Sequence, residues 1–248
     1  MNGLQMHIVK KIALALSLGA LPFSAVNADM ASDKQAIQQQ LKNIIPDAPD
    51  ANITPSVLPG LYEVSVGPMV IYMTGDAKYV LNGSLIDLNT RENLTERTKA
   101  NARKAALAKI PADSMITYPA KGEAKHVVTV FSDIDCPYCH KLHKEIPALN
   151  EAGVTVRYLS YPRAGAGSPA YQKAVTAWCA ENRNEAMDKL MAGEQVPSKS
   201  CDNPVLAHMQ QAQIFGVNGT PNIILENGDM IPGYVPAKEL VQMLQQKH

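Results

Sequence analysis

The sequence has little of what would place it in several large protein classes. No charge of one sign dominates: across 248 residues, 23 basic side chains balance 23 acidic ones, with no single-sign run. Nucleic-acid binding draws on a basic face, so this balance argues against a nucleic-acid partner. Aromatic residues are scarce, with three phenylalanines and one tryptophan, which leaves little material for the apolar pocket that encloses a haem. Four cysteines are too few for a small scaffold stapled mainly by disulfides. No apolar run reaches the roughly 20 residues that a membrane-spanning helix needs.

What is present starts at the N-terminus. Lys10 and Lys11 precede an apolar run over residues 12–21, followed by Pro22 and the small-residue ending Val26-Asn27-Ala28. This order predicts a Sec-type signal peptide over residues 1–28, cleaved after Ala28, with Met6 as an alternative start to Met1. The mature chain is then a soluble, exported protein in an oxidising setting, where disulfides persist. Its length suits one large domain or two modest ones.

Residues 29–88 predict a small α+β unit. A helix is expected from Ser32, with Gln35 as its capping-box partner and an apolar stripe of Ile37, Leu41, Ile44 and Ile45 ending at Pro46. After a proline-rich loop the period changes to two. Strands are expected over residues 61–66, 69–73 and 79–81, with Asn82-Gly83 as a type I′ turn into a strand over 84–88. At about 60 residues such a unit is marginal by core burial alone and would gain from pairing with a second copy. Tyr62, Tyr72 and Tyr79 are expected in its core or in a dimer interface. Residues 89–111 predict a helix capped by Asn89 with Glu92 and ended by Pro111; Leu94, Leu107 and Ile110 are its large apolar residues. A helix polar nearly all round is read as a solvated linker between domains, a surface helix being the near alternative.

From residue 112 to 248 the pattern becomes that of an α/β domain. A buried strand over 126–131, a helix continuing from Lys141 to Leu149, closure at Gly153 and a strand over 154–159 make a βαβ unit. One long helical segment is expected over 170–191, and a helix starts at Asn203-Pro204 and ends at Gly216. A hairpin turning at Asn227-Gly228 follows, then a closing helix over 236–246 with Leu240, Val241 and Leu244 on its apolar face.

The stretch "FSDIDCPYCHK" carries the chemistry. Cys136-Pro-Tyr-Cys139 followed by His140 admits three readings: a covalent haem site, part of a zinc site, or a redox dithiol. Haem does not call for a buried strand just upstream, and zinc would need Cys136, Cys139, His140 and His143 to surround an ion from one helix start. At the end of a strand and the start of a helix, Pro137 falls at the first helical position, where its missing N–H costs nothing. The orphan N–H groups and helix dipole there favour a Cys136 thiolate over the ~8.5 pKa of free cysteine, with Cys139 one turn further in and less exposed. A second feature agrees: Thr220-Pro221 stands directly before an apolar strand, a place open to a cis X–Pro turn or, as the plainer alternative, to a trans proline at a strand start.

With these two features together the chain resembles the thioredoxin-fold oxidoreductases, which set C-x-x-C at the first helix start opposite a cis-proline loop. More closely, it resembles the periplasmic disulfide isomerases of the DsbC type, through "FSDIDCPYCHKLHKEI", "VTVRYLSYPRAG", "AWCAENRNEAMDKLMAG", "SCDNP" and "FGVNGTPNIILENGDMIPGY". The resemblance implies a cystatin-like α+β dimerisation domain (29–88), a linker helix (89–111) and a thioredoxin-like catalytic domain with a helical insertion (112–248). It implies that Cys136 and Cys139 are the redox pair and that Pro137, Tyr138, Thr220 and Pro221 contact substrate. No cofactor and no metal are implied beyond the dithiol. Partners would be misoxidised or unfolded exported proteins, a second copy of the chain, and an inner-membrane reductase of the DsbD type; the location would be the periplasm.

Two departures stand out. Many DsbC-type proteins have glycine where this chain has Pro137, and Pro137-Tyr138 is shared with the related DsbG type. Thioredoxin's buried acid, six residues before its first cysteine, is Val130 here. Cys179 and Cys201 lack a C-x-x-C partner and are included in the DsbC-type resemblance, so a structural disulfide is expected; closing a loop of about 21 residues contributes ~3 kcal/mol. His140 and His143 are expected on the helix surface, with His140 positioned to tune the dithiol. The expected function is disulfide isomerisation and reduction with chaperone activity, against a DsbG-like or net-oxidising role, or a holdase with an incidental dithiol.

Overall fold

The structure, a computed structural model, describes residues 25–46 and 50–246. The expected signal segment lies outside these except for its last four residues, whose backbone begins the first helix, α1 (Ala25–Ile44). Ser32 is therefore inside α1 rather than at its cap, and its hydroxyl donates to the Asp29 carbonyl. The stripe that α1 buries is Ile37 and Leu41, four residues apart on one face; Ile44 and Ile45 are exposed. Ile37 and Leu41 pack on β1 (Asn52–Pro55), β2 (Leu61–Val66) and β3 (Met69–Thr74), which with β4 (Val80–Leu81) form an antiparallel sheet in chain order. Strand β1, hidden from sequence reasoning by its proline-rich setting, ends on Pro55 at the sheet edge, where a missing N–H is tolerated.

The two faces of this sheet have different partners. Tyr62, Val64 and Met73 point toward α1, and the Tyr62 hydroxyl donates to Asp33 at 2.8 Å. Glu63 and Tyr72, paired across β2 and β3, point the other way. They meet α2 (Leu94–Leu107) through Thr98 to Glu63 at 3.0 Å and Tyr72 to Thr95 at 2.6 Å. The strand expected over residues 84–88 does not form, because its donors are taken elsewhere. Leu85 N–H bonds the Thr95 hydroxyl and Asp87 N–H the Glu92 carbonyl, leaving one isolated bridge at Ile86. Tyr72 and Tyr62 are core residues, whereas Tyr79 is exposed.

Helix α2 is capped by Asn93, whose side chain accepts from Glu96 N–H, and not by Asn89. It is more than a solvated linker. Thr95, Ala100 and Arg103 are buried, and Arg103 Nε donates to the Gly228 carbonyl at 2.8 Å in the second unit. Gly228 has φ +87°, and a Cβ there would stand 1.9 Å from the Ala100 carbonyl oxygen. Only glycine lets the turn and the helix approach this closely.

The second unit is a five-stranded sheet in the order β5 (Ile116–Tyr118), β7 (Val154–Ser160), β6 (His126–Ser132), β8 (Asn222–Ile224), β9 (Met230–Pro232). β6 and β7 are parallel and the other pairs antiparallel. The β6–β7 crossover is two helices, α3 (Pro137–Lys144) and α4 (Ile146–Glu151), rather than one. Pro147 breaks the expected continuity, since it has no N–H and its ring excludes the His143 carbonyl four residues back. The segment expected as one helix over 170–191 is likewise two, α5 (Pro169–Trp178) and α6 (Arg183–Met191). Cys179 ends the first, and the Asn182 side chain caps the second by accepting from Glu185 N–H. Cys179 and Cys201 form a disulfide with Cα atoms 5.7 Å apart, tying the end of α5 to the segment before α7 (Val205–Ile214). Helix α7 begins one residue later than expected, and Asn203 supports its start by accepting from Val205 N–H. The last helix, α8 (Ala237–Gln246), buries Leu240 and Leu244 against a core of Val128, Val130, Leu142, Val154, Val156 and Ile223.

Candidate active site

The site forms where β6 ends and α3 begins. Asp133–Asp135 make the connecting turn, and Cys136 N–H donates to the Asp133 carbonyl at 3.0 Å. Cys136 is the residue that caps α3, in extended conformation, and Pro137 occupies the first helical position. Its carbonyl accepts from His140 N–H, so the cysteine is fixed at both backbone ends. The loop before β8 faces it. Thr220-Pro221 is a cis peptide bond, and the Cys136 thiol donates to the Thr220 carbonyl at 3.2 Å. Pro221's own carbonyl is engaged by Gly233 N–H at 2.9 Å. The chain thus brings Cys136, Cys139, Pro137, Thr220 and Pro221 to one place, with Tyr138 at its rim, 56% exposed and carrying Lys141 over its ring.

Burial corrects one expectation: Cys136 is as little exposed as Cys139, each at 1%. What separates them is hydrogen bonding. Burial works to raise the pKa of Cys136, but the Thr220 side chain, the Cys139 thiol and backbone, and the Tyr138 N–H outweigh it, and the net shift is downward. Cys139, deeper in the core, is pushed up to about 12 by burial, with the charge of Cys136 adding to this against the Ser132 side chain and the Asp133 backbone. The hydroxyls of Ser132 and Thr220 have no other partner among the described residues, which leaves them free to donate to sulfur. One thiol is thus prepared to ionise and the other to stay protonated.

Sequence reasoning missed Asp133 and Arg163. Asp133 is buried, its carboxylate held by Arg163 Nε at 3.0 Å and by the N–H groups of Arg163 and Asp135. That ion pair raises the Arg163 pKa first, and the charges of Cys136 and Cys139 add to it, so a fixed cation stands beside the dithiol. The signal that could have found it is topological: Arg163 follows β7, the parallel neighbour of β6, and residues beyond the carboxyl ends of adjacent parallel strands converge on one site.

The four side chains of the zinc reading are not brought together. His140 Nε2 is turned to the Ile134 carbonyl, and His143, expected on the surface, points inward to Tyr158 and Asp188. Among the described residues no group of three or more His, Cys, Asp or Glu side chains is arranged to hold a metal ion.

Comparison with known proteins places this geometry in a lineage. Residues 112–248 match the thioredoxin-like domain family, and residues 28–96 match the N-terminal domain family of disulfide bond isomerase proteins. The chain is 40% identical over 238 residues to the thiol:disulfide interchange protein DsbC of Dickeya dadantii, covering 95% of both chains. It is 38% identical over 214 residues to DsbC of Escherichia coli K12, covering 86% of this chain and 88% of the relative. Among solved structures, a disulfide interchange protein from Neisseria gonorrhoeae aligns at 34% identity and a TM-score of 0.50, over 55% of this chain and 97% of that one.

Proposed function

The chain belongs to the DsbC family of thiol:disulfide interchange proteins, and from that premise we propose that it is an enzyme that rearranges wrong disulfides in exported proteins. The observation that carries this reading is the opposite displacement of the two thiols, Cys136 downward and Cys139 upward. The Cys136 thiolate attacks one sulfur of a substrate disulfide. A mixed disulfide forms, and the other substrate sulfur leaves as a thiolate. If that sulfur, or another on the substrate, attacks the mixed disulfide, Cys136 is released and the substrate is isomerised. If Cys139 attacks instead, the Cys136–Cys139 disulfide forms and the substrate is reduced. Because Cys139 is held as a thiol, its attack is delayed, and the substrate's own thiols have time to act first.

The Thr220 carbonyl is the docking point for a substrate strand, because among the described residues the Cys136 thiol is its only hydrogen-bond partner whereas the Pro221 carbonyl is already engaged. Pro137 and Tyr138 form the opposite lip. The N-terminal unit supports a homodimer: Tyr79, Val80, Leu81 and Leu88 are exposed around the two-residue edge strand β4, an apolar margin that a second copy would cover. Apolar surface flanking a dimer cleft also suits chaperone activity. The location is the periplasm, and an isomerase there needs a membrane reductase of the DsbD type to keep its dithiol reduced.

The test is refolding of a scrambled multi-disulfide protein together with the redox state of Cys136–Cys139 in cells. Reduced cysteines in the cell and loss of refolding in Cys136→Ala are expected. A dithiol found fully oxidised at steady state would instead make the protein a net oxidant, and refolding that survives Cys136→Ala would make it a holdase.

A further inference from the structure

Cys139 has to lose a proton before it can resolve a mixed disulfide, and two candidate acceptors beside the dithiol are occupied. Asp133 is tied to Arg163 and two N–H groups, and the His140 ring to the Ile134 carbonyl. Val130 on β6, packed in the same core as Cys139, has no protic group. Its direct register partner on β7, however, is Tyr158, so the tyrosine stands on the same face of the sheet beside it. Cys139 and His143 are four residues apart on α3, one above the other.

Tyr158, His143 and Asp188 meet in a hydrogen-bonded chain next to this face of α3. The Tyr158 hydroxyl is 3.2 Å from His143 Nδ1, and His143 Nε2 is 3.0 Å from Asp188 Oδ1 on α6. The Tyr118 hydroxyl donates to the same Asp188 oxygen at 2.6 Å, and its ring meets those of His143 and Tyr158 edge-on. A carboxylate only accepts, so Nε2 carries the proton of the neutral ring, and Nδ1 is left to accept from Tyr158. Burial, with the charge of His140, lowers the His143 pKa against the pull of Asp188, so the ring is neutral at neutral pH. Burial raises Tyr158 furthest, and the next contribution is the charge of Cys139, ahead of Asp188. The chain ends at a surface cavity of about 530 Å³ bordered by His143, Asp188, Tyr118, Lys121 and Lys144.

Resting on the function proposed above, we propose that Tyr158, His143 and Asp188 form the route by which the Cys139 proton leaves during resolution. Cys139 gives its proton to the Tyr158 oxygen as the Tyr158 proton passes to His143 Nδ1, and the imidazolium is balanced by Asp188. The Cys139 thiolate then bonds to the Cys136 sulfur. The bond from Cys136 to the substrate sulfur breaks, and the electron pair departs on that sulfur, which is thereby reduced. His143 returns the proton to water through the cavity. His143 and Asp188 do not touch sulfur and are positioning residues for this step.

The test separates the two half-reactions in the full-length reduced protein, with an aromatic disulfide reagent that releases thionitrobenzoate. The first release reports capture by Cys136 and the second reports resolution by Cys139. In wild type, resolution is expected to slow as pH falls through the depressed pKa of His143. His143→Gln, Tyr158→Phe and Asp188→Asn are expected to lose that limb and to resolve about tenfold more slowly near neutral pH, with capture unchanged. Asp188 has a side chain 56% exposed, so Asp188→Asn decides the matter even if the core variants fold poorly. Resolution within about twofold of wild type, with the same pH limb, overturns the route. Wild-type refolding activity alongside that result leaves the isomerase function standing, whereas absent wild-type refolding removes the function itself.

Discussion

Cys136 and Thr220 are 84 positions apart in the chain and 3.2 Å apart in space, the thiol donating to the carbonyl of a cis peptide bond. Neither residue's local sequence contains this contact. It exists because β8 runs antiparallel to β6 in the register Phe131 to Asn222, which sets the loop before β8 over the end of β6.

Thr220→Val keeps the shape of the loop and removes a hydroxyl that has no other partner among the described residues. That hydroxyl is the first of the groups that lower the Cys136 pKa against burial, so the pKa is expected to rise. Thiolate absorbance titrated in wild type and variant reads this directly. An unchanged titration would show that the backbone N–H groups alone stabilise the anion.

Gly228→Ala introduces a Cβ 1.9 Å from the Ala100 carbonyl oxygen, at a left-handed φ. A non-glycine residue in that conformation costs about 1–2 kcal/mol before the clash is counted. The turn is expected to separate from α2 and break the Arg103 bond to the Gly228 carbonyl. Urea unfolding should show the loss, with the dithiol's reaction in the first half-reaction retained.

His208 is buried, and burial lowers its pKa to about 4. An unfolded chain binds its proton near pH 6.5, so the sign is fixed: stability is full above that value and is lost as pH falls toward 4. The loss at the acid end is about 3 kcal/mol from this side chain alone. His208→Gln should flatten that part of the stability curve measured by denaturant unfolding at several pH values.

Replacing both Cys179 and Cys201 by serine frees a loop with a sequence separation of 22. A loss of ~3 kcal/mol in unfolding free energy is expected. Single-turnover capture by Cys136 should stay close to wild type, since the bridge joins α5 to the segment before α7 and not the dithiol. A large change in capture would assign the bridge a part in the chemistry.

Much of this was legible from residue pattern. The period-two runs of β2 and β3, the buried apolar run of β6, the helix start at Pro137, and the apolar face of α8 follow from local chemistry. The misreadings were places where a partner distant in the chain decided the outcome. Residues 84–88 look like a hairpin strand until Thr95 takes the Leu85 N–H. Helix α2 looks solvated until its threonines meet Glu63 and Tyr72, and its Arg103 meets Gly228. Pro147 was a local signal for the α3–α4 break. His143 reads as a surface residue because nothing near it in sequence announces Tyr158 or Asp188.

The bond between the Cys136 thiol and the Thr220 carbonyl acts as a latch. While Cys136 keeps its proton, the sulfur is a poor nucleophile and the carbonyl is occupied. When the proton departs, the sulfur becomes reactive, and the carbonyl loses its donor in the same event. In the docking proposed above, an arriving peptide N–H would find the acceptor vacant only when the sulfur beside it is ready to attack. Arming and docking would then share one proton, so that a strand seated productively would select the reactive form.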